Sequence, residues 1–217
     1  MEGAAFMLFC LLTPFLNGRR ARWGATAREV ERELPGDELV LHPRWGYTHA
    51  VTIQAEPAGV WPWIVQIGQG RGGFYTYELL ENLVGCNIQN VDSVKADLQA
   101  LKVGDGIKLH PEAPPLPVAA VEPGEMLLLH SQMDPRTGGQ LDSISGDPEK
   151  AVNTTWLFFV EPCAGGATRL ITRGLYAYES SLLNNIFMGR FFLEPISFVM
   201  ERKMLLTIKR LVESNRN

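Results

Sequence analysis

The chain has 217 residues, of which 46% are hydrophobic and 20% are charged, and its net charge is −4. This composition is close to the globular average and excludes a disordered chain, a coiled coil and a collagen-like repeat. Because nucleic-acid-binding domains usually carry a basic stripe and none is visible here, we expect no nucleic acid partner. No linker or internal repeat divides the chain. We therefore expect one domain over residues 23–217, preceded by an apolar segment over residues 1–22.

The apolar segment is uncharged over residues 4–16 (AAFMLFCLLTPFL) and is followed by Arg19, Arg20 and Arg22. It is shorter than the ~20 residues that a membrane-spanning helix needs, and Glu2 ahead of it is unlike a secretory signal. Three interpretations stay open. The segment docks on the domain as a helix, lies in a membrane interface with its arginines at the headgroups, or is the remainder of a longer anchor. We expect a cytoplasmic protein, either free or membrane-associated through this segment.

Thr26 and Glu29 have the spacing of a capping box, which predicts a helix that ends before Pro35. Residues 47–55 alternate and are rich in Val, Ile and Thr, as is typical of a strand. A short helix is predicted from VWPWIVQI at residues 60–67, with Pro62 in its first turn. A second short helix is predicted over residues 76–84 and ends at Gly85.

The middle of the chain predicts strands within residues 101–109, 116–121, 126–130, 154–160 and 168–178, separated by turn signals that favour antiparallel hairpins. Residues 134–151 are polar and glycine-rich, which suggests a long loop acting as a lid. From residue 194 onward a long helix is predicted. Its apolar stripe comprises Ile196, Val199, Met200, Met204, Ile208, Leu211 and Val212. Glu201 is placed off this stripe. The sheet's apolar face needs a cover, and the helix can provide it.

The glycine-rich run GQGRGG at residues 68–73 matches the G-x-G-x-x-G pattern of dinucleotide-binding proteins. Its context argues against that function, because Pro62 lies between two tryptophans in the preceding run and no parallel strand follows the next helix. The glycines are better explained by a tight turn between two helices, with Arg71 bonding loop carbonyls. We expect no nucleotide cofactor.

Three widely spaced cysteines and four scattered histidines also fail to form any spacing typical of metal ligands. The sequence therefore predicts no metal site and no other cofactor.

Several motifs together resemble the START-like (SRPBCC) superfamily of helix-grip proteins, in its polyketide cyclase/dehydrase-like branch of mostly uncharacterised bacterial members. The most specific are VWPW at residues 60–63 and GQGRGGFY at residues 68–75. The resemblance implies an α+β helix-grip fold. In that fold a curved antiparallel β-sheet is wrapped around a long C-terminal α-helix, two short helices follow the first strand, and a cavity lies between sheet and helix. Leu79 and Thr207 depart from the branch's pattern, where an aromatic residue and a glycine are expected. The superfamily shares no catalytic set, so the resemblance transfers a cavity and no mechanism.

Ligand-binding candidates combine apolar bulk with a few polar groups. They are Trp63, Phe74, Tyr77, Glu78, Trp156, Phe158, Tyr176, Tyr178, Met200 and Met204.

Catalytic candidates are groups that can move or stabilise a proton. They are Tyr75, Glu81, Asn82, Arg173 and His130. Residues 78, 81 and 82 share one helix face, and a desolvated Glu81 there would have a raised pKa. Alternatively, Glu81 and Asn82 brace the glycine-rich loop, Arg173 pairs with a carboxylate on an exposed strand, and His130 lies at an exposed strand end.

Three functions remain open at this point. The first is binding of a hydrophobic small molecule (a lipid, isoprenoid or polyketide-like compound) in the cavity between sheet and helix. The second is cyclase, aromatase or dehydratase activity by acid–base catalysis in that cavity. The third is a peripheral membrane lipid carrier that docks through residues 4–16. The oligomeric state is open in all three.

Overall fold

The computed structural model describes residues 2–135, 139–141 and 151–215. Within them six strands form one antiparallel sheet in the order β1-β6-β5-β4-β3-β2. The strands are β1 Trp45–Ile53, β2 Gly106–Ile107, β3 Leu116–Glu122, β4 Met126–Met133, β5 Val152–Cys163 and β6 Ala167–Ala177. Most of the lid expected at residues 134–151 lies outside the described residues, so the lid stays a prediction.

Seven helices accompany the sheet in the described part of the chain. They are α1 Glu2–Leu12, α2 Asn17–Arg20, α3 Ala27–Glu31, α4 Pro57–Val65, α5 Glu78–Leu83, α6 Leu182–Phe187 and α7 Leu193–Ser214. The capping box between Thr26 and Glu29 opens α3 as predicted. Pro57 is the proline in the first turn of α4, and Pro62 lies inside that helix, so the predicted start was too late. A curved antiparallel sheet with two short helices after its first strand and one long C-terminal helix confirms the predicted α+β helix-grip fold.

The inner face of the sheet carries the main core and packs against α7. Leu129, Phe158 and Leu170 from the sheet meet Met204 and Ile208 from the helix, each with at most 1% of its surface exposed. Because such side chains each contribute about 1.5–3 kcal/mol when buried, this contact holds α7 on the sheet. The predicted position of the core is therefore correct.

The outer face of the sheet is covered as well. Leu34, from the segment after α3, packs with Ala50, Leu128, Leu157 and Ile171 of four neighbouring strands. An antiparallel sheet often leaves one face to solvent, but here residues 24–40 cover part of that face.

One side of α1 docks on α7. Cys10 is 1% exposed and packs with Phe198 and Val199, and the ring of Phe6 lies 6.1 Å from that of Phe198. This is the contact expected if residues 1–22 dock on the domain. No helix in the described ranges is both long and apolar enough to cross a membrane.

The predicted stripe of α7 is largely confirmed, with one error. Val199, Met204, Ile208, Leu211 and Val212 are buried, whereas Ile196 and Met200 are only half-buried. Glu201 was placed off the stripe, but it is 5% exposed and faces the sheet. The sheet supplies hydrogen-bond donors to its carboxylate, and these offset the cost of burying the charge.

Candidate functional site

A group of polar side chains is buried where β1 and β6 meet the first half of α7. We call it the buried polar cluster; its members are the buried Tyr47, His49, Thr172 and Glu201 and the half-buried Tyr176. Tyr47 and His49 are two residues apart in β1, so both point to the inner face. His49 pairs with Thr172, and Tyr47 pairs with Gly174. A Cβ atom on Gly174 would come within 2.5 Å of the Tyr47 ring, so only glycine leaves room for that ring across β6.

Glu201 lies at the centre of the buried polar cluster. Tyr47 donates its hydroxyl proton to one carboxylate oxygen at 2.8 Å, and Thr172 donates to the other, also at 2.8 Å. Hydrogen bonds to an ionised group are about twice as strong as neutral ones. These two donors therefore fix the carboxylate in place on the inner face.

One ring nitrogen of His49 has a hydrogen-bond partner and the other has none. Its Nε2 lies 3.0 Å from the carbonyl oxygen of Arg20, so the proton is assigned to Nε2 in the neutral ring. Nδ1 is buried without a hydrogen-bond partner and lies 3.9 Å from Glu201 Oε2. Nδ1 of the neutral ring is therefore a buried acceptor that lacks a donor.

The two tyrosines of the cluster stay protonated at neutral pH. Burial is the main cause that raises the pKa of Tyr47 well above its usual value, and the nearby Glu201 carboxylate adds to it. Burial also raises the pKa of Tyr176 to about 12, and hydrogen bonds with Ser197 and Tyr47 only partly oppose this. The Tyr47 hydroxyl therefore keeps the proton that it donates to Glu201.

A space of about 10 Å³ adjoins the cluster, enough for about one water molecule. Its lining residues are Asn17, Arg20, Ala21, Trp45, Tyr47, His49, Glu194 and Phe198. The sheet and α7 form most of the wall, and the segment around α2 closes it. Trp45, Tyr47 and Phe198 thus supply aromatic walls beside His49, and Glu194 is the carboxylate among the lining residues.

Arg20 holds the segment over residues 10–20 in place through its side-chain hydrogen bonds. Nη1 donates to the carbonyl of Cys10 at 2.8 Å and to Asn17 Oδ1 at 3.1 Å, and Nη2 donates to the hydroxyl of Thr13. Asn17 in turn donates to the carbonyl of Arg190 at 2.8 Å. The arginine therefore braces residues 10–20 against the end of the molecule that carries α6 and α7.

Tyr75, predicted to be catalytic, lies elsewhere in the core. It is 1% exposed, its backbone φ is 59°, and its hydroxyl accepts a hydrogen bond from Gln66 at 2.8 Å. Burial raises its pKa to about 12. Arg71 in the same loop donates to the carbonyls of Val65, Ile67 and Leu98, which is the structural role that the sequence indicates.

Glu81, Asn82 and Glu78 do not share an inward face. Glu81 is 8% exposed and its Oε2 has no hydrogen-bond partner, whereas Glu78 and Asn82 are exposed. Asn82 exchanges two hydrogen bonds with the backbone of Ile88, and Glu78 accepts one from the backbone of Asn90. These two side chains brace the loop after α5.

The pKa of Glu81 is raised, chiefly by burial, with a smaller contribution from the charge of Glu78. The nearby Thr76 hydroxyl lowers the pKa of Glu81 and so partly opposes this shift. Glu81 is therefore the member of this group whose pKa is raised by burial, as expected for a desolvated carboxyl.

Arg173 and His130 lie on the outer face, away from the buried polar cluster. Arg173 donates to Asp37 at 2.5 Å, to Thr48 at 3.1 Å and to three backbone carbonyls around α3. His130 bonds Asn153 at 2.9 Å. The guanidinium is thus fully engaged and pairs with a carboxylate as the alternative expected, but Arg173 is 6% exposed, so the expected exposure was wrong.

The predicted ligand-binding residues scatter over the inner side of the molecule. Trp63, Phe74, Phe158 and Met204 are buried in the main core. Trp156 packs against that core, and its indole nitrogen is buried without a partner.

The remaining ligand-binding candidates lie nearer α7 and its preceding loop. Tyr77 packs in the cluster beneath α1, its ring 5.4 Å from the amine of Lys203. Met200 is half-buried on α7, and Tyr178 is 7% exposed. Of all the candidates, Tyr176 belongs to the buried polar cluster.

Sequence reasoning missed Tyr47, His49 and Glu201. A signal was present, because Glu201 falls four residues before Leu205 and seven before Ile208, on the buried side of α7. Tyr47 and His49 also alternate with the outward-facing positions of β1. Among the residues that the structure describes, no group of three or more His, Cys, Asp or Glu side chains is placed to hold a metal ion.

No family model matches the chain, and no curated protein matches it. Solved structures with an overall likeness include norcoclaurine synthase from Thalictrum flavum, at 13% identity and a TM-score of 0.41, which covers 83% of this chain and 94% of its own. Another is protein MLL2253 from Mesorhizobium loti, at 15% identity and a TM-score of 0.41, covering 79% and 100%. A third is the Zhui aromatase/cyclase from Streptomyces sp. R1128, at 11% identity and a TM-score of 0.32, covering 81% and 97%. At these identities no site residue transfers to this chain.

Proposed function

We propose that this protein binds a neutral, largely apolar small molecule that carries one hydroxyl group. The observation that carries the proposal is the buried Nδ1 of His49, an acceptor without a donor beside a small space. Leaving a buried polar atom unpaired costs about 1–3 kcal/mol, and a ligand hydroxyl would remove that cost. Lipids, isoprenoids and polyketide-like compounds with a free hydroxyl all meet this requirement.

Charge argues against an anionic ligand at the same place. Glu194 and Glu201 both lie at the site, and burial already raises the pKa of Glu194. The nearby cation, Arg20, is occupied by Cys10, Asn17 and Thr13. A ligand carboxylate would therefore meet like charge without a free partner.

The apolar part of the ligand needs more room than the present 10 Å³. Trp45, Tyr47 and Phe198 supply aromatic walls, and Asn17, Arg20 and Ala21 form the covering side. We propose that these covering residues shift when a ligand enters, which requires breaking some of the hydrogen bonds that Arg20 and Asn17 make.

Three naphthalenes of matched shape test the proposal by fluorescence titration. 1-Naphthol carries the hydroxyl, 1-methylnaphthalene lacks it, and 1-naphthoate carries a charge. We expect 1-naphthol to bind at least about tenfold more tightly than the other two, since each tenfold step needs only ~1.4 kcal/mol. Equal affinity for 1-naphthol and 1-methylnaphthalene would contradict the assigned role of His49.

Three variants locate the site. His49→Phe keeps a ring but removes Nδ1, and it should abolish the preference for 1-naphthol. Ala21→Leu fills the covering side and should weaken all binding, whereas Ala27→Leu, on the exposed start of α3, is the matched control. Binding unchanged by Ala21→Leu would place the ligand elsewhere. Native mass spectrometry of the purified protein then identifies any natural ligand.

A second function, acid–base catalysis at the same place, is favoured by one observation. The Tyr47 hydroxyl and the His49 ring both approach the Glu201 carboxylate, at 2.8 Å and 3.9 Å. Such a group can move a proton to or from a bound ketone. The test is absorbance-detected aromatisation of a short poly-β-ketone thioester. Loss of turnover in Tyr47→Phe with 1-naphthol binding retained supports catalysis, and a wild-type rate equal to the protein-free rate refutes it.

A further inference from the structure

Most of the large apolar side chains that are exposed in the described part of the chain belong to two separate segments. From the α1 region these are Leu8, Phe9, Leu12 and Phe15, at 52–79% exposure. From the segment around α6 they are Leu182, Leu183, Ile186, Phe187, Phe191 and Phe192, at 36–77% exposure. Contiguous exposed apolar surface of this kind marks an interaction site on a soluble domain.

The two segments meet. The side chain of Asn17, which is 1% exposed, donates to the backbone carbonyl of Arg190 at 2.8 Å. Arg20 and Glu194 line the same small space, one from each side. The backbones of the two segments therefore meet at this end, and we call their exposed Leu, Ile and Phe side chains together the apolar end surface.

Arginines outnumber carboxylates beside the apolar end surface, although the whole chain carries −4; Glu2, Glu179 and Glu194 lie just outside its two segments. Arg19, Arg22 and Arg190 are exposed, and residues 3–22 and 180–193 contain no Asp or Glu. Apolar side chains flanked by arginines complement a bilayer with anionic headgroups. A second copy of the chain is a poorer partner, because its own arginines would face these.

We propose that the apolar end surface, built from residues 8–22 and 182–192, docks on a bilayer containing anionic lipid. The α6 segment is a full partner of the N-terminal segment in this contact. Neither α1 nor α6 spans the bilayer; their exposed Leu and Phe side chains enter the interface while the arginines stay at the headgroups. This surface adjoins the proposed ligand site at His49, because Asn17, Arg20 and Ala21 lie within its range and also line that site.

Vesicle flotation with the full chain tests the proposal. Phosphatidylcholine vesicles with about one third phosphatidylglycerol should carry the protein, and vesicles of pure phosphatidylcholine should carry much less. Raising the salt concentration should reduce the difference between the two compositions, since screening shortens the reach of the arginines. No flotation on either composition would overturn the proposal.

Paired variants separate the two segments. Leu12→Ser with Phe15→Ser, and independently Phe187→Ser with Phe191→Ser, should each lower the vesicle partition coefficient at least about tenfold. The matched control is Leu79→Ser with Leu83→Ser, exposed leucines on α5. Full binding by the Phe187/Phe191 variant would refute the role of the α6 segment, and an equal loss in the α5 control would refute the assigned surface.

Two further measurements test the role of the arginines and the choice of a bilayer as partner. Arg19→Gln with Arg190→Gln should weaken binding to the anionic vesicles alone, and equal weakening on both compositions would contradict the assigned charges. Sedimentation velocity should show that the wild-type chain does not self-associate through this surface. Self-association that the serine variants abolish, together with no flotation, would make the partner a second copy and overturn the proposal. Titration with 1-naphthol should be unchanged in the serine variants, so failure here is distinguishable from failure of the proposed ligand site.

Discussion

Arg173 on the outer face of the sheet and His49 on the inner face differ in how completely their hydrogen-bonding atoms are paired. On the outer face every donor of Arg173 has a protein acceptor, and Arg169 forms a two-pronged ion pair with Glu29. On the inner face His49 Nδ1 has no partner, and a space lies beside it. Complete pairing of Arg173 makes that residue a fixed support, although Nε of the neighbouring Arg32 is buried without a partner. Incomplete pairing leaves the inner cluster with bonding capacity for something else.

The largest effect should come from breaking the outer network. Arg173→Met removes a charge that pairs with Asp37 and donates to three backbone carbonyls, so the carbonyls lose this donor and Asp37 keeps only the backbone N–H of Leu34. We expect a loss of about 3–5 kcal/mol in the free energy of unfolding, measured with urea. Arg28→Met, at an exposed position of α3, is the control and should be close to neutral. A loss below about 1 kcal/mol would show that the outer network is no support.

The Glu29–Arg169 pair should contribute a pH-dependent part of that support. The hydrogen bond from Arg169 is the largest favourable cause that lowers the pKa of Glu29 from 4.5 to about 2. A folded-state pKa below the unfolded one means stability that is present above pH 4.5 and is lost as the pH falls towards 2. Glu29→Gln should therefore cost about 2–3 kcal/mol at pH 7. That difference should shrink when unfolding is measured at pH 3.5, and a difference independent of pH would contradict the ion pair.

Two threonines near the contact between the sheet and α7 allow a comparison of a hydrogen-bonded hydroxyl with an unpaired one. Thr172 donates to Glu201 at 2.8 Å, so Thr172→Val should cost about 1.5 kcal/mol. The hydroxyl of Thr207 is buried without a partner, so Thr207→Val should be neutral or slightly stabilising. Chemical denaturation of both variants measures the contrast directly. Equal losses would mean that the hydrogen bond to Glu201 adds nothing.

The smallest effect should come from Glu81. Burial raises its pKa, so the protonated carboxyl is favoured in the folded state and stability is lost as the pH rises through the folded pKa. Glu81→Gln avoids that loss, and we expect it to gain less than about 1 kcal/mol at pH 7 and nothing below about pH 4.5. Thermal unfolding at pH 7 and pH 4 compares the two. A destabilised variant at pH 7 would indicate that the ionised carboxylate has a favourable partner.

The sequence predicted the fold because local patterns agree with it. The alternation in β1, the turn signals between the later strands and the stripe of α7 all specify elements that the structure contains. The face on which Arg173 lies was not predictable, because Thr168, Arg169, Thr172 and Arg173 place polar residues on both sides of β6. With polar groups on both faces, a period of two does not say which face is buried.

The buried polar cluster was missed for a related reason. A glutamate in an amphipathic helix is normally solvated, and burial of Glu201 depends on hydroxyls from residues 154 and 29 positions away in the chain. Only the assembled fold brings those donors to the carboxylate. The candidates on α5 were found by local spacing, and that spacing does not reveal which of their side chains turn inward.

Gly174 has a consequence for how this sequence can change over evolutionary time. The Tyr47 ring fills the space that a side chain at position 174 would need, so the sizes of these two paired residues of β1 and β6 are linked. Any larger residue at 174 must be accompanied by a smaller one at 47, and the hydroxyl that reaches Glu201 is then lost. In an alignment of homologues the tyrosine, the glycine and the glutamate should therefore be inherited as a set or replaced as a set.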